Sequence, residues 1–368
     1  MTGKLSLDLY LNNSIRNIMS NAYKAVLSNP KASLFILKMQ RAIAKAEKRR
    51  KKHLTEEGLS IPPFLISSIA TDCNLTCKGC YARANDICGT RGETEKKELS
   101  AEQWKHIFQE ASRMGISFNL MAGGEPLLRK DVLEAASQVK DMIFPVFTNG
   151  IIITRLYLDF FSEHLNLIPV LSLEGCKENT DDRRGQGVFN RVIHSMELLK
   201  GRGLFYGTSI TVTTENLDTA TSLSYVNLLK DLGCKIIFYV EYIPSEAGTN
   251  GLALDKNGIV KMETSLEKLR KAFNDVIFLS FPGDEKAMGG CLAAGRFFLH
   301  ISPGGEAEAC PFSPYSDRNI AESGLKEALR SPFFAKLRDS GLVGGEHKGG
   351  CTLFEHEEQV KKMLSVEQ

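Results

Sequence analysis

Extended apolar runs alternate with helical patterns from Phe64 onward, and this alternation restricts the fold more than any other feature of the sequence. Six runs are typical of strands: FLISSIA, ISFNLMA, IFPVFT, PVLSLEG, YGTSITVT and IIFYVEYI. Because helical segments separate them, successive strands form right-handed βαβ units in a parallel sheet. Ligand sites of such sheets lie at the carboxyl ends of the strands. The pattern therefore predicts an α/β barrel or partial barrel with its site at that end.

The rest of the chain flanks this barrel on both sides. We expect four parts: a basic helical extension over residues 1–60, the barrel over 61–246, a connecting helical segment over 247–288 and a small α+β module over 289–368. In the last part, GRFFLHISPGG and EAEACPF predict a hairpin, because SPGG is a turn sequence between two extended runs.

The N-terminal extension is predicted to be helical over residues 13–53, with an amphipathic basic second half. Leu34, Leu37, Ile43 and Ala46 fall close to one face at helical spacing, and lysines and arginines occupy the rest. We expect the apolar face to pack on the body of the protein and the basic face to be solvated. Contact between residues 1–52 and an anionic membrane surface is the alternative interpretation.

Charge and hydropathy exclude several classes of partner and location. The net charge of +2 gives no argument for nucleic acid as the main partner. No run approaches the roughly 18 consecutive apolar residues of a membrane-spanning helix, and the start MTGKLSLDLYLNN lacks an apolar signal core. We therefore expect a cytoplasmic protein whose nine cysteines serve ligation or redox chemistry, because the cytosol keeps thiols reduced.

Cys73, Cys77 and Cys80 form a CxxxCxxC loop directly after the first predicted strand. Three thiolates in one short loop can hold three irons of a cubane cluster and leave the fourth iron open to a ligand from outside the protein. A zinc knuckle is the alternative, but zinc sites favour a second C-x-x-C pair or histidines, and no histidine lies near this loop. The loop predicts an iron–sulfur cluster with one open iron.

The segment CNLTCKGCY resembles the cluster motif of the radical S-adenosylmethionine (SAM) superfamily, and three later elements follow in that superfamily's order. Each ends a successive predicted strand, and each resembles a superfamily element: Gly123-Gly124-Glu125-Pro126 the GGEP element, Thr148-Asn149-Gly150 the TNG element, and Ser172-Leu173-Glu174-Gly175 the S-x-D-G element. A carboxylate at a strand end can accept a hydrogen bond from an ammonium group, and alternate strand residues can bind one ribose.

This resemblance implies a partial (β/α)6 TIM-like barrel that binds a [4Fe-4S] cluster and SAM. An electron from the cluster would cleave SAM to methionine and a 5′-deoxyadenosyl radical, which abstracts hydrogen from the substrate. The cluster ligands would be Cys73, Cys77 and Cys80. The residues implied to bind SAM are Tyr81, Gly123, Gly124, Glu125, Asn149, Ser172, Glu174 and Arg184. A flavodoxin or ferredoxin is implied as the electron donor.

The sequence departs from the superfamily pattern at two positions. Gly79 stands where an aromatic residue is usual, and the aromatic side chain is instead Tyr81, which we expect to cover the cluster or the adenine from the other side. Glu174 stands where aspartate is commoner, which keeps the acceptor and lengthens the arm. Arg184 resembles the basic residue that pairs with the SAM carboxylate.

The C-terminal part carries a second group of cysteines. The spacing of Cys291, Gly305 and Cys310 resembles the opening of the SPASM or Twitch extension of radical SAM enzymes, and Cys351 follows alone. The resemblance implies a shortened, Twitch-like module in which these three cysteines bind one auxiliary [4Fe-4S] cluster. Substrate, water or a non-cysteine residue would then complete the fourth iron. Buried structural cysteines are the alternative.

The remaining cysteines and the end of the sixth strand give weaker predictions. Cys234 is expected in the core, Cys176 is a candidate for hydrogen-atom donation or ligation, and Cys88 fits either role. Glu241 and Tyr242 close the sixth strand and are candidates for contact with substrate or adenine.

The sequence leaves the substrate open. A small metabolite or lipid-like molecule is the first hypothesis, because the N-terminus contains an amphipathic helix and no recognisable peptide-binding domain. A maturase that modifies a peptide or protein is the second, since many proteins with SPASM-like extensions do this. A cluster carrier or assembly factor without turnover is the third.

Overall fold

The computed structural model describes residue 20 and residues 30–90, 97–343 and 350–365. Within these ranges, nine strands form one sheet in the order β11-β10-β1-β4-β5-β6-β7-β8-β9, and β2 and β3 pair separately. Every pairing is parallel except that of β10 with β11. The strands are β1 (Phe64–Ala70), β2 (Asp72–Cys73), β3 (Gly89–Thr90), β4 (Phe118–Gly123), β5 (Phe144–Thr148), β6 (Leu167–Leu173), β7 (Gly207–Val212), β8 (Ile236–Glu241), β9 (Ile277–Phe281), β10 (His300–Ile301) and β11 (Ala307–Glu308).

The predicted partial barrel is confirmed, and its six strands are β1 and β4 to β8. The rings of Phe147 on β5 and Phe238 on β8 lie only 5.1 Å apart between centroids. These strands are three positions apart, and neighbouring strands are spaced by about 4.8 Å, so a flat sheet would hold the rings much farther from each other. The sheet therefore curls and brings inward-facing side chains together.

Helices cover the outside of the sheet. The helix α3 shows why the sequence forms them: Ser100 and Gln103 make a capping box at its start, and Gly115 ends it in the left-handed region (φ 101°). Its buried face contains Trp104 and Phe108. The helices are α1 (Pro30–Glu57), α2 (Tyr81–Ala84), α3 (Ala101–Met114), α4 (Lys130–Ser137), α5 (Arg155–Glu163), α6 (Lys177–Arg184), α7 (Val188–Gly201), α8 (Leu217–Ala220), α9 (Leu223–Asp231), α10 (Lys256–Ala272), α11 (Ile320–Ser323), α12 (Leu325–Leu329), α13 (Pro332–Asp339), α14 (Thr352–Glu355) and α15 (Glu357–Leu364).

The helix α1 covers the amino-terminal end of the barrel. Its buried apolar residues pack on the first residues of several strands or just before them, which are Phe118, Ile143, Ile168, Ile236 and Ile277. The apolar face is thus packed on the body of the protein, as expected. The part of the predicted helix before Pro30 lies outside the described residues.

The predicted composition of that face was wrong in part. Leu34 and Leu37 are 54% and 39% exposed, whereas Ile36 and Met39 are buried together with Ile43. The buried residues follow one another at intervals of three and four, and Leu34 lies half a turn from Ile43 on the opposite side of the helix. The other buried residues of the helix are Ala32, Ala46 and Arg50.

The C-terminal part extends the same sheet. The predicted hairpin is confirmed, because β10 pairs with β11 in antiparallel register, and β10 adds to the free edge of β1 in parallel register. In the connecting segment, α10 is helical as expected, but Ile277–Phe281 forms β9 and pairs with β8. The segment was predicted to be helical with loops, and a short apolar run of this kind is equally compatible with a buried strand.

Among the described residues, no helix is both long enough and apolar enough to span a lipid bilayer.

Candidate functional site

The predicted cluster ligands lie in one loop at the carboxyl end of β1. Cys73 ends β2, Cys80 immediately precedes α2, and Cys77 lies between them. All three are free thiols of intermediate burial. The loop is therefore covered by protein on one side and accessible on the other, as a cluster with one open iron requires.

The segment after β4 fixes the start of this loop. Gly124 N donates to the carbonyl of Ala70 (2.7 Å), and Glu125 N donates to the carbonyl of Asp72 (2.8 Å). A Cβ atom on Gly124 would overlap the backbone of Asp72, and Gly123 adopts a φ of 111°. The glycines of the GGEP element thus let two segments of the chain approach each other.

Gly79 is explained by a side chain from the other edge of the barrel. It has a φ of 64°, and a Cβ atom there would collide with the ring and hydroxyl of Tyr242. Gly79 N also donates to Glu246 Oε2 (2.6 Å). The segment after β8 therefore packs against the cysteine loop and forms a hydrogen bond with it. Tyr242 places an aromatic ring beside that loop. Tyr242 also donates to Thr249 Oγ1 (2.7 Å).

Glu125 connects the ends of β4 and β5. Its carboxylate is buried and accepts hydrogen bonds from Thr148 Oγ1 (2.7 Å), Asn149 N (2.8 Å) and Leu127 N (3.0 Å). Burial raises the pKa of this carboxyl although the three donors oppose that effect. A carboxylate has about four acceptor positions, so one position is left for an ammonium group. The predicted contact of Glu125 with SAM stays a prediction.

Two arginines enclose Glu174. Its Oε1 accepts from Arg183 Nη1 (2.6 Å) and Arg184 Nε (2.7 Å), and its Oε2 accepts from Thr211 N (3.0 Å). Glu174 is buried and the two arginines are partly buried, and this group of three carries a net positive charge beside the cysteine loop. The predicted ribose contact of Glu174 stays a prediction.

Arg184 links that charged group to the cysteine loop. Its Nη1 lies 4.0 Å from Cys77 Sγ. Burial alone would lower the pKa of Arg184, but the charges of Glu174 and Cys77 raise it, so the guanidinium stays ionised. An arginine that keeps one edge towards the thiols can bind a carboxylate next to them. The predicted role of Arg184 in binding the SAM carboxylate stays a prediction.

Ser172 and Asn149 lie at the same end of the barrel. Ser172 Oγ is 3.3 Å from Ser209 Oγ on the neighbouring strand, and Asn149 Nδ2 donates to Asn74 Oδ1 (2.7 Å) inside the cysteine loop. The structure thus brings the ends of β1, β4, β5 and β6 together around the three thiols. The SAM-binding roles of these residues stay predictions.

A fourth thiol lies against the loop. Cys88 is buried and contacts the cysteine loop, and its hydrogen bond lowers the pKa of Cys80. Burial raises the pKa of Cys73 to about 11. The thiols of one loop therefore differ in how readily they ionise.

Tyr81 points towards the C-terminal part of the chain. Its ring makes an edge-to-face contact with Phe312 at 5.2 Å between centroids. Burial is the largest cause of its raised pKa, and the charges of Cys80 and Cys310 add to it. Tyr81 therefore lies between the two groups of cysteines.

The second group of cysteines is more deeply buried than the first. Cys291, Cys310 and Cys351 are buried free thiols. A hydrogen bond from Cys310 lowers the pKa of Cys351, whereas burial raises the pKa of Cys291 and Cys310. Glu285, which no sequence motif singled out, is buried beside them, and burial raises its pKa to about 8.

The other sequence candidates have different surroundings. Cys234 is buried in the core, as predicted, and contacts Thr208 Oγ1 (3.3 Å). Cys176 precedes α6 and donates to Asn179 Oδ1 (2.9 Å). Glu241 is 4% exposed and accepts from Gly350 N (3.2 Å), and burial raises its pKa to about 7.

The donor sets fit iron–sulfur clusters. Within the described residues, no three His, Cys, Asp or Glu side chains converge tightly enough to hold a single metal ion. A cubane cluster is larger, and each thiolate binds a different iron. Two separate sets of three soft thiol ligands, one of them beside a charged arginine, suit that chemistry.

Comparisons with known proteins agree with this geometry. The described residues form a partial α/β barrel with three thiols in a loop at the carboxyl end of β1. Residues 67–226 match the Radical SAM superfamily. This part of the chain is therefore a radical SAM domain, and the enzymes that contain such domains use a [4Fe-4S] cluster and SAM.

The names of the curated relatives describe different products. The Fe-coproporphyrin III synthase of Methanosarcina barkeri is 27% identical over 62% of this chain, and the match spans 54% of that relative. The AdoMet-dependent heme synthase of the same organism is 25% identical over 80% of this chain and 89% of its own. The mycofactocin maturase MftC of Mycobacterium tuberculosis is 26% identical over 80% of each chain.

Solved structures share the fold. Streptococcus suis SuiB bound to the precursor peptide SuiA superposes with a TM-score of 0.64 at 16% identity, over 83% of this chain and 76% of that chain. The enzyme anSMEcpe with bound AdoMet gives a TM-score of 0.56 at 17% identity, over 73% and 80% of the two chains. Both likenesses concern the fold alone.

Proposed function

We propose that this radical SAM enzyme abstracts hydrogen from a small-metabolite or lipid-like substrate, with an auxiliary iron–sulfur cluster on Cys291, Cys310 and Cys351 assisting. When bound, SAM and the cluster on Cys73, Cys77 and Cys80 supply a 5′-deoxyadenosyl radical. The observation that carries the proposal is the position of Arg184, whose guanidinium lies between Glu174 and Cys77.

The residues around the cysteine loop have separate tasks. Arg184 binds the SAM carboxylate through the edge that faces Cys77, while Glu174 holds the guanidinium in place. Ser172 offers a hydroxyl at the end of β6, and Asn149 connects the end of β5 to the cysteine loop. The hydrogen bonds of Glu125 keep the ends of β4 and β5 together.

Two bridges across the barrel mouth support a compact substrate. Glu246 and Tyr242, which follow β8, contact Gly79 in the cysteine loop. Gly350, next to Cys351, binds Glu241 at the end of β8. Both contacts connect the end of β8 to a segment that carries cysteines. The names of the two Methanosarcina relatives also describe small-molecule products.

A peptide or protein maturase is the second candidate. The similarity to MftC over 80% of each chain favours it, since that relative is named as a maturase. The fold is also shared with SuiB, which was solved with a precursor peptide. A cluster carrier without turnover is the third candidate.

We also propose a flavodoxin or ferredoxin as the electron donor and the cytoplasm as the location. All nine cysteines are free thiols, which suits a reducing compartment. Peripheral contact with an anionic membrane stays a proposal for the outer face of α1, where Lys38, Arg41, Lys45 and Lys48 are directed away from the buried residues.

One experiment tests turnover. The full chain, reconstituted anaerobically with iron and sulfide and reduced with dithionite, should convert SAM to 5′-deoxyadenosine. Replacing Cys73, Cys77 and Cys80 by alanine should abolish this product and halve the iron content, and replacing Cys291, Cys310 and Cys351 should remove the other half. A protein that holds both clusters but never cleaves SAM would favour the carrier. A short precursor-peptide gene beside this one would favour the maturase.

A further inference from the structure

A buried carboxylate lies beside the second group of cysteines and lacks an adequate partner. Glu285 is 3% exposed and belongs to the turn Gly283–Met288, a few residues before Cys291. Its backbone is fixed at both groups, because its N–H donates to Pro282 O (2.8 Å) and its carbonyl accepts from Gly290 N (3.0 Å). The side chain is therefore held in place by the turn.

The carboxylate of Glu285 has a single hydrogen bond within the described residues. Leu292 N donates to its Oε1 across 3.4 Å, which is the long end of the range for such a bond. Arg296 is the nearby cation, but it donates to the carbonyls of Cys291 and Gly289 instead. A buried carboxylate needs hydrogen bonds, a proton or a cation to offset its lost hydration. Among the described residues, Glu285 has only the long bond from Leu292 N to offset its burial.

The thiols of the second group are the close neighbours of this carboxylate. Burial is the main cause of the raised pKa of Cys291, and the charge of Glu285 is the second cause. The charge of Cys351 also raises the pKa of Glu285. Leu292, which donates to Glu285, directly follows Cys291 in the chain. The bond from Leu292 N therefore holds the carboxylate next to the backbone of Cys291, beside this group of thiols.

We propose that Glu285 is the fourth protein ligand of the auxiliary cluster on Cys291, Cys310 and Cys351. This inference rests on the auxiliary cluster of the proposed function. Carboxylates are established ligands of iron, and a harder ligand than thiolate at one corner changes the reduction potential of a cluster. With all four irons bound by the protein, the auxiliary cluster exchanges electrons and does not bind substrate directly.

Glu241 is the neighbouring buried carboxylate and provides a matched control. It is as deeply buried as Glu285, but its Oε2 accepts from Gly350 N across 3.2 Å. Besides burial and that bond, the charge of Glu263 affects its pKa, and none of the thiols contributes, although Glu241 itself acts on Glu285. Because Glu241 is not proposed as an iron ligand, its removal should open no iron to an added thiol.

The test uses the full chain with Cys73, Cys77 and Cys80 replaced by alanine. The spectroscopic signal then comes from the auxiliary cluster. After anaerobic reconstitution and reduction with dithionite, electron paramagnetic resonance spectra are recorded with and without 2-mercaptoethanol. We expect no change in the parent or in Glu241→Gln. In Glu285→Ala and in the isosteric Glu285→Gln, the added thiol should shift the g values because it binds the opened iron.

Two results would overturn the ligand assignment. The first is a parent whose spectrum shifts with 2-mercaptoethanol as much as that of Glu285→Ala, since its fourth iron would already be open. The second is a Glu285→Gln variant that keeps the parent spectrum under both conditions, with circular dichroism confirming its fold. A parent without any cluster would instead overturn the auxiliary site itself, and the ligand assignment with it.

Discussion

The hydroxyl and ring of Tyr242 fill the space that a side chain on Gly79 would occupy. The two residues come from opposite edges of the barrel segment, one from the cysteine loop and one from the residue after β8. Together they place an aromatic ring beside the third cysteine although the motif itself carries none there. The unusual glycine and the distant tyrosine are thus one structural unit.

Replacing Gly79 by alanine should impair the cysteine loop. The change adds a Cβ atom that collides with Tyr242, and it forces a non-glycine residue to a φ of 64°, which costs about 1–2 kcal/mol. We expect the iron content of the reconstituted protein to fall towards that of the auxiliary cluster alone. In Gly79→Ala/Tyr242→Ala the collision is gone, and part of the iron should return. Equal losses in both variants would contradict the role of Tyr242.

Removing the guanidinium of Arg184 should weaken SAM binding without removing iron. A charge-assisted bond in a sheltered site contributes about 1.5–3 kcal/mol, so Arg184→Ala should lose roughly tenfold or more in affinity. Anaerobic equilibrium dialysis measures the loss. Arg183→Ala is the matched control, because Arg183 also binds Glu174 but is not the arginine placed 4.0 Å from Cys77. A larger effect at Arg183 would transfer the role to that residue.

The exposure of α1 residues gives a direct test of which face packs on the barrel. Met39→Ala removes a buried side chain and should lower the free energy of unfolding by about 2–5 kcal/mol. Leu34→Ala changes an exposed leucine of the same helix and should cost less than about 0.5 kcal/mol. Denaturant unfolding of the apoprotein compares them. Similar losses would mean that both faces are packed.

Glu241 should make stability depend on pH. Burial raises the pKa of its carboxyl from 4.5 to about 7, so the folded chain holds this proton more tightly than the unfolded chain. Its contribution to the free energy of unfolding should therefore fall as pH rises from about 4.5 to 7, by up to about 3 kcal/mol. Glu241→Gln should lose less stability than the parent between pH 5 and pH 7.5. Parallel pH profiles of the two apoproteins would contradict this.

The six barrel strands were predictable because period-two and period-3.6 patterns are local properties of the sequence. The composition of the buried face of α1 was not, since Leu34 and Ile36 are equally apolar and the partner surface decides which is covered. β9 was missed because a short apolar run does not distinguish strand from helix.

The site shows the same limit. Motif positions located the thiols, Glu125, Glu174 and Arg184, but the pairing of Glu174 with Arg184 required the folded chain. Glu246 lies far from the cysteine loop in sequence, and only the curvature of the sheet brings it there. Glu285 precedes Cys291 by six residues, but no motif includes it, and its burial beside that cysteine required the folded chain.

Because α1 covers the amino-terminal end of the strands, ligands would enter this barrel from the carboxyl-terminal end. The proposed substrate, SAM and the proposed electron donor would then approach that end, where the cysteine loop lies. A bulky substrate bound there would cover the surface to which the electron donor binds. The donor would then have to transfer its electron before such a substrate binds, or after it leaves. A small substrate bound inside the barrel would not cover that surface, so the donor could stay bound throughout the catalytic cycle.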